Sequence, residues 1–220
     1  MFVRFWMTSP VFTTTPETTL KSAIDFMNTH RCRRLPVLQL EKLVGIVSLS
    51  DLYRYLPPGG ENRVALPENV EYTLVKTPVA DVMRKTLITC TPATTLEDVG
   101  VLMCTHRIGA LPVLDKEKLV GIITETNYLK AMAKLAHIGE GRRVCFRMVV
   151  ANKTKTFYEV LARCQTHNLE VLSLTTQPVD KDHHLVFLRV RGEAVDRFID
   201  ALWKSHFDVL LADQPEPEKK

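Results

Sequence analysis

The sequence predicts an α/β (α+β) protein in two parts. The first is a duplicated pair of strand–helix–strand–strand–helix units, and the second is a βαββαβ plait of the ferredoxin-like kind. Three observations predict this. KLVGI occurs at Lys42–Ile46 and again at Lys118–Ile122, 76 positions apart. The same shift, without a gap, carries Thr15-Pro16 onto Thr91-Pro92, Thr18-Thr19-Leu20 onto Thr94-Thr95-Leu96, and Leu35-Pro36-Val37-Leu38 onto Leu111-Pro112-Val113-Leu114. From Gly139 the echo ends and a new alternation of apolar strands and helices begins. A chain of 220 residues with 45% hydrophobic content can bury the core this requires.

The shift also places Val3 on Val79, Met7 on Met83 and Met27-x-Thr29-His30-Arg31 on Met103-x-Thr105-His106-Arg107. Chance does not produce such a run, so the chain carries an internal duplication. Within each copy, Phe12–Thr15 is short, β-branched and closed by Pro16, which predicts a strand end. Thr18 is the expected cap of the following helix, and in copy two Thr94 and Glu97 are expected to form a capping box. Leu20, Ala23, Ile24 and Met27 recur at helical spacing, as do Leu96, Val99 and Met103, with Gly100 allowing close approach. Leu35–Leu38 and Lys42–Val47 read as two strands in a tight hairpin, and a second helix follows Ser48, carrying Asp51, Leu52 and Tyr55. About fifty residues bury too little surface to be stable alone, so the copies are expected to pack together as one pseudo-twofold domain.

The expected divisions are residues 1–56 and 79–137 for the repeats, 57–78 for a linker, 138–141 for a hinge, 142–213 for the plait and 214–220 for a disordered tail. Pro57-Pro58-Gly59-Gly60 predicts a turn, and the rest of the linker a loop with a short apolar segment near Tyr72–Val75. Gly139 and Gly141 mark the hinge. Val144, Phe146, Met148 and Val150 alternate along a strand over Arg142–Ala151. Thr156 and Glu159 predict a capping box for a helix ending near Asn168. Leu169–Thr176 is the next strand, Gln177–His183 a turn around Pro178, and Leu185–Val190 a third strand. Val195, Phe198, Ile199 and Leu202 mark a helix, and Asp208–Leu211 the last strand.

Several function classes are disfavoured. A net charge of +4 without a Lys/Arg block argues against nucleic acid. No apolar run approaches a membrane span, and the start MFVRFWM lacks a signal-peptide core. Five scattered cysteines show neither Cys-x-x-Cys nor zinc spacing, which fits a cytoplasmic protein with buried thiols. His183-His184 has no third ligand at sensible spacing and reads as a turn exposing two imidazoles. No nucleophile elbow, phosphate-binding loop or His-Glu-x-x-His motif is present, so catalysis is not expected and no cofactor is required.

The duplication, the Thr-Pro-x-Thr-Thr-Leu start, the Leu-Pro-Val strand and the Gly-hydrophobic-hydrophobic-Ser/Thr-x-x-Asp/Asn corner together resemble the CBS-domain family in its paired arrangement, the Bateman module. That resemblance implies a cleft between the copies for an adenosyl ligand: AMP, ADP, ATP or S-adenosylmethionine. It assigns Asp51 to the ribose hydroxyls, and Ser48 and Thr124 to ribose or phosphate. A carboxylate suits the task because it offers only acceptors to two adjacent hydroxyls. Asn127 stands at the equivalent position in copy two, with one acceptor oxygen and no charge, so the second site is expected to be weaker, different or empty. The resemblance also assigns Arg33 and Arg34 to phosphate, and Gly109, Ala110 and Leu111 to an adenine slot. Ser-x-x-Asp is equally a helix start, so a purely capping role for Asp51 and Asn127 stands beside the binding one. Likewise Arg33 and Arg34 can be solvated surface charges. For His30-Arg31 and His106-Arg107, at a helix end, the structural role is favoured.

The plait following such a pair is similar to an ACT domain, and the whole arrangement resembles the acetoin-utilisation B-type (AcuB-type) CBS–ACT proteins. The resemblance implies a homodimer and a regulated enzyme partner. The first turn of the plait, Ala151-Asn-Lys-Thr-Lys-Thr156, lacks the glycine of ACT ligand sites, so dimer packing is expected there rather than amino-acid binding. Three readings remain: a nucleotide-sensing regulator, a non-binding scaffold that docks on a metabolic enzyme, and an enzyme of unknown chemistry.

Overall fold

The computed structural model describes residues 1–54 and 68–212. The Pro57–Gly60 turn, Tyr55 and the 214–220 tail lie outside the described residues. The chain divides into two compact units, residues 1–129 and residues 130 onward.

The first unit holds repeat one and all of repeat two except the end of its last helix. Repeat one contains α1 (Leu20–Thr29), β1 (Arg34–Gln39), β2 (Lys42–Ser48) and α2 (Leu49–Tyr53), followed by α3 (Glu68–Lys76). Repeat two contains α4 (Leu96–His106), β3 (Ala110–Asp115), β4 (Lys118–Thr124) and α5 (Glu125–Leu135). The hairpins are copies in register: Arg34 faces Ser48 as Ala110 faces Thr124, and each has a bulge, after Val37 and after Val113. Both turns use two left-handed residues, Leu40 and Glu41 at φ 48° and 66°, and Lys116 and Glu117 at 46° and 68°. That is the backbone twist a two-residue hairpin needs. β2 lies against β4. The apolar faces read from the sequence are buried: Leu20, Ala23, Ile24 and Met27 on α1, and Leu96, Val99 and Met103 on α4.

Three expectations for the repeats are corrected. The strand at Phe12–Thr15 reduces to one parallel bridge, Thr14 with Val37, mirrored by Cys90 with Val113. The helix caps fall one residue later than expected. Thr19 Oγ1 accepts from Ser22 N at 3.2 Å, and Thr95 Oγ1 from Asp98 N at 3.1 Å. The first threonine of each pair instead accepts from the chain before it, Thr18 from Thr15 N and Thr94 from Thr91 N. So Thr-Thr divides two tasks that the pattern had given to one residue. Third, the linker contributes a helix, α3, whose Leu74 is buried in the core of repeat one.

The leading segments are exchanged. Residues 1–8 pack on repeat two: Val3 N donates to Thr94 O, Leu96 N to Met1 O, and Thr8 pairs with Ile122. Residues 77–84 pack on repeat one in the same way: Val79 N donates to Thr18 O, Leu20 N to Thr77 O, and Arg84 pairs with Ile46. Every one of these bonds is repeated at the 76-residue shift. The exchange explains the glycine of KLVGI. A Cβ on Gly45 would overlap Met83 Sδ, and one on Gly121 would lie 2.7 Å from Met7 Sδ and 3.0 Å from Thr8 O. Each leading segment presses its methionine where a side chain would otherwise stand.

The second unit contains β5 (Arg142–Val149), α6 (Lys153–Thr166), β6 (Glu170–Pro178), β7 (His183–Arg191), α7 (Val195–Trp203) and β8 (Asp208–Ala212). Its antiparallel sheet has the order β6-β7-β5-β8, the ferredoxin-like plait. Val144, Phe146 and Met148 alternate into its core, where they meet Val160 of α6 and Val195, Phe198, Ile199 and Leu202 of α7. The expected Thr156/Glu159 box is absent: α6 starts at Lys153 after Asn152, which makes no side-chain cap, and both residues lie inside the helix. Glu159 pairs instead with His206 at 2.9 Å. β6 runs through Pro178, so the turn is shorter than expected, and His183 and His184 belong to β7. His183 Nδ1 lies 3.0 Å from Asp180. Gly139 and Gly141 take φ of 85° and 59°.

No helix among the described residues is long and apolar enough to cross a membrane. No group of three or more His, Cys, Asp or Glu residues among them could hold a metal ion.

Candidate functional site

Each KLVGI strand delivers a hydroxyl to the point where strand becomes helix. Ser48 ends β2 and caps α2, its Oγ accepting from Asp51 N at 3.2 Å. In return Asp51 Oδ2 accepts from Ser48 N at 3.2 Å and from the Ser48 hydroxyl. The capping role is therefore real. It occupies one carboxylate oxygen and leaves the other, Oδ1, facing Arg54 Nη1 at 3.5 Å and Arg84 Nη2 at 3.6 Å. Asp51 is the one buried polar or charged side chain among the described residues, 6% exposed. Burying a charge is costly unless it is paired, and here two guanidinium groups supply the pairing.

The equivalent corner of repeat two has the same hydrogen bonds in neutral form. Asn127 Oδ1 accepts from Thr124 N at 2.9 Å and from Thr124 Oγ1 at 2.6 Å. Asn127 Nδ2 donates to Thr8 Oγ1 at 3.4 Å. Thr8 stands 76 residues before Arg84, so the change from carboxylate to amide is matched by a change from guanidinium to hydroxyl.

Arg34, at the start of β1, crosses to the other repeat. Its Nη2 lies 3.6 Å from Glu125 Oε2, and a Cβ on Gly109 would overlap its guanidinium. Gly109 thus makes room for an arginine side chain. Burial pulls the Arg34 pKa below its usual value, the neighbouring Arg33 adds to this, and Glu125 opposes it.

Two cavities meet at this crossing. One, of about 440 Å³, is lined by Arg33, Arg34, Ser48, Tyr53, Arg54 and Glu125 among others. The second, of about 280 Å³, is lined by Arg34, Ser48, Asp51, Arg84, Arg107, Gly109 and Ala110 among others. They share Arg34, Ser48, Ser50 and Glu125. The structure thus brings Arg33, Arg34, Ser48, Asp51, Gly109 and Ala110 to one place. Leu111 is fully buried in β3 and does not line it, and Thr124 and Asn127 sit at the other corner. The sequence reading missed Arg54, Arg84 and Glu125, and it gave Arg107, which lines the smaller cavity, a structural role at a helix end. A signal for Arg84 was present, since the shift that aligns the repeats sets it opposite Thr8.

In the second unit, a polar cavity of about 320 Å³ lies beside the first strand–helix turn, among Arg147, Asn152, Lys155, Glu159, His206 and Asp208. Its charges are largely spent on one another, with Arg147 3.5 Å from Asp208 and Lys155 3.8 Å from Glu159.

The family model for the CBS domain matches residues 3–58 and 79–134, stopping short of β5. The CBS domain-containing protein YhcV of Bacillus subtilis is 31% identical over 121 residues, covering 55% of this chain and 78% of that protein. The uncharacterized protein MJ1225 of Methanocaldococcus jannaschii is 34% identical over 130 residues, 58% of this chain; the match spans less than half, 46%, of that longer protein. A solved structure from Vibrio cholerae, of a protein provisionally named as an acetoin utilization protein (AcuB), matches at a TM-score of 0.51 and 28% identity, covering 63% of this chain and 94% of that one.

Proposed function

This chain belongs to the CBS-domain family through both of its repeats, and on that premise we propose that it is a ligand-sensing regulatory protein which binds an adenosyl nucleotide in the cleft between them. The observation that carries the proposal is the convergence of Arg33, Arg34, Arg54, Arg84 and Arg107 on cavities that also hold Ser48 and the buried Asp51. Asp51 Oδ1 accepts the ribose hydroxyls in place of its two arginine partners, because Oδ2 is already committed to the helix cap. The arginines, thereby released, turn to phosphate, for which their forked donors are suited. Once Arg34 also turns to phosphate and leaves the space over Gly109, Gly109 and Ala110 provide a flat wall for the base. A ligand touching Asp51 of one repeat and Gly109 of the other favours whichever arrangement of the repeats it fits best, and shifts their equilibrium by that difference in affinity.

Binding is asymmetric. The positions equivalent to Arg33, Arg34, Arg54 and Arg84 hold Gly109, Ala110, Lys130 and Thr8, so the Thr124/Asn127 corner lacks both the carboxylate and most of the cations. One ligand per chain follows. The plait, by its strand order, is read as an ACT-like dimerising domain that holds a homodimer and passes the signal to a regulated enzyme. The likeness to the Vibrio cholerae protein points to acetoin utilisation as the setting. Native mass spectrometry of the protein as purified tests the reading: it predicts a mass increment of one adenosyl ligand per chain after incubation with a mixture of AMP, ADP, ATP and S-adenosylmethionine. Absence of any increment contradicts it.

A further inference from the structure

Resting on that reading of the cleft, we infer that its ligand carries at least two phosphates, and that Glu125 holds Arg34 only until they displace it. The argument is one of charge and position. Five guanidinium groups line the two adjoining cavities, against two carboxylates, Asp51 and Glu125. Arg33 and Arg107 pair with no carboxylate among the described residues. Three positive charges are therefore left for the ligand to balance. A monophosphate brings at most two negative charges, and a sulfonium ligand such as S-adenosylmethionine brings a positive one into the same space.

The placement of the charges runs in one direction. Asp51, Gly109 and Ala110 line the smaller cavity, where ribose and base belong. Arg33 and Arg54 line the larger, with Arg34 on the wall between them. A ligand anchored by its ribose at Asp51 passes Arg34 first and reaches Arg33 and Arg54 only if its chain of phosphates is long enough. Glu125 lies 3.6 Å from Arg34 and its side chain is 62% exposed. An ion pair with one partner so open to water is weak, whereas a phosphate accepts two parallel bonds from a guanidinium. Glu125 therefore keeps Arg34 extended across the repeat boundary while the cleft is empty, and yields it when phosphate arrives. The resulting loss of the Arg34–Glu125 bridge is a signal that depends on phosphate number.

Calorimetric titration in the presence of a chelator, with adenosine, AMP, ADP, ATP and S-adenosylmethionine as separate probes, tests this. Each of the first two phosphates is expected to tighten binding roughly tenfold, with S-adenosylmethionine among the weakest probes. Arg34→Gln should bring ADP down toward AMP, and Glu125→Gln should strengthen ADP and ATP severalfold more than adenosine. Variants are compared after matching their unfolding midpoints to that of the unaltered protein. If adenosine, AMP or S-adenosylmethionine binds as tightly as ADP, the inference falls while the adenosyl site stands. If none of the five binds, both fall.

Discussion

Asp51 Oδ1 and Arg84 Nη2 lie 3.6 Å apart although they belong to different repeats. The pair exists because residues 77–84 lead repeat two yet pack on repeat one. At the shifted positions stand Asn127 and Thr8, 3.4 Å apart and uncharged. One duplication has thus kept two self-consistent versions of a single contact.

This yields a stability prediction. Arg84→Thr alone leaves the buried Asp51 carboxylate with Arg54 as its remaining partner, and should cost about 1–2 kcal/mol. Asp51→Asn alone removes the charge but keeps the helix cap, as Asn127 does. The double change rebuilds the Asn127/Thr8 pair and should lose less than the sum of the two. Urea unfolding of the four proteins measures the coupling; strict additivity would mean that the two side chains do not interact.

The glycines of KLVGI should be unequal. Gly45→Ala meets the flexible end of Met83, which can give way, whereas Gly121→Ala also meets the backbone carbonyl of Thr8. Overpacking of this sort costs about 1–3 kcal/mol, with Gly121→Ala expected to be the worse. Met83→Ala should relieve Gly45→Ala. Thermal unfolding midpoints check the order, and equal effects at both glycines would contradict it.

The thiols should separate by burial. Burial pushes Cys90 and Cys164 up to about 11, while Cys104 is exposed. At pH 8 an aromatic disulfide reagent should label Cys104 promptly, and Cys90 and Cys164 only after denaturation. The folded state holds these two protons more tightly than the unfolded chain. Stability should therefore fall as pH rises from 9.0 toward 11, since over that range the unfolded chain has released protons the folded one retains. Cys90→Ala and Cys164→Ala should make that decline shallower, as followed by urea unfolding at pH 8.5 and 10.5; an identical slope would argue against the buried thiols.

Leu74 is 2% exposed within the core of repeat one. Leu74→Ala should cost about 2–4 kcal/mol, as seen by urea unfolding. A loss well under 1 kcal/mol would mean that α3 does not belong to that core.

The duplication, both hairpins and the plait could be read from the sequence because a rigid shift and clear periodicity encode them. Leu20, Ala23, Ile24 and Met27 needed only helical spacing to be placed inward. The caps slipped by one residue because Thr18-Thr19 offers two equivalent hydroxyls, and periodicity alone does not choose between them. The α3 helix reads as a loop because the apolar segment Tyr72–Val75 is too short to display helical spacing. Half of the candidate site was visible as Ser48, Asp51, Arg33 and Arg34. The rest was not, because Arg84 and Glu125 reach it through the exchange of leading segments and the contact between repeats, which are tertiary events. The family resemblance assigns Gly109 to an adenine slot, but the group it makes room for, Arg34, is distant in sequence.

The central claim is one anionic adenosyl ligand per chain, seated at Asp51. Equilibrium titration with ATP, counting sites on the unaltered protein, Asp51→Asn and Asn127→Ala, tests it most directly. The predicted result is one site per chain, weakened at least tenfold by Asp51→Asn and retained in Asn127→Ala. Two equal sites, or binding indifferent to Asp51→Asn, would contradict it.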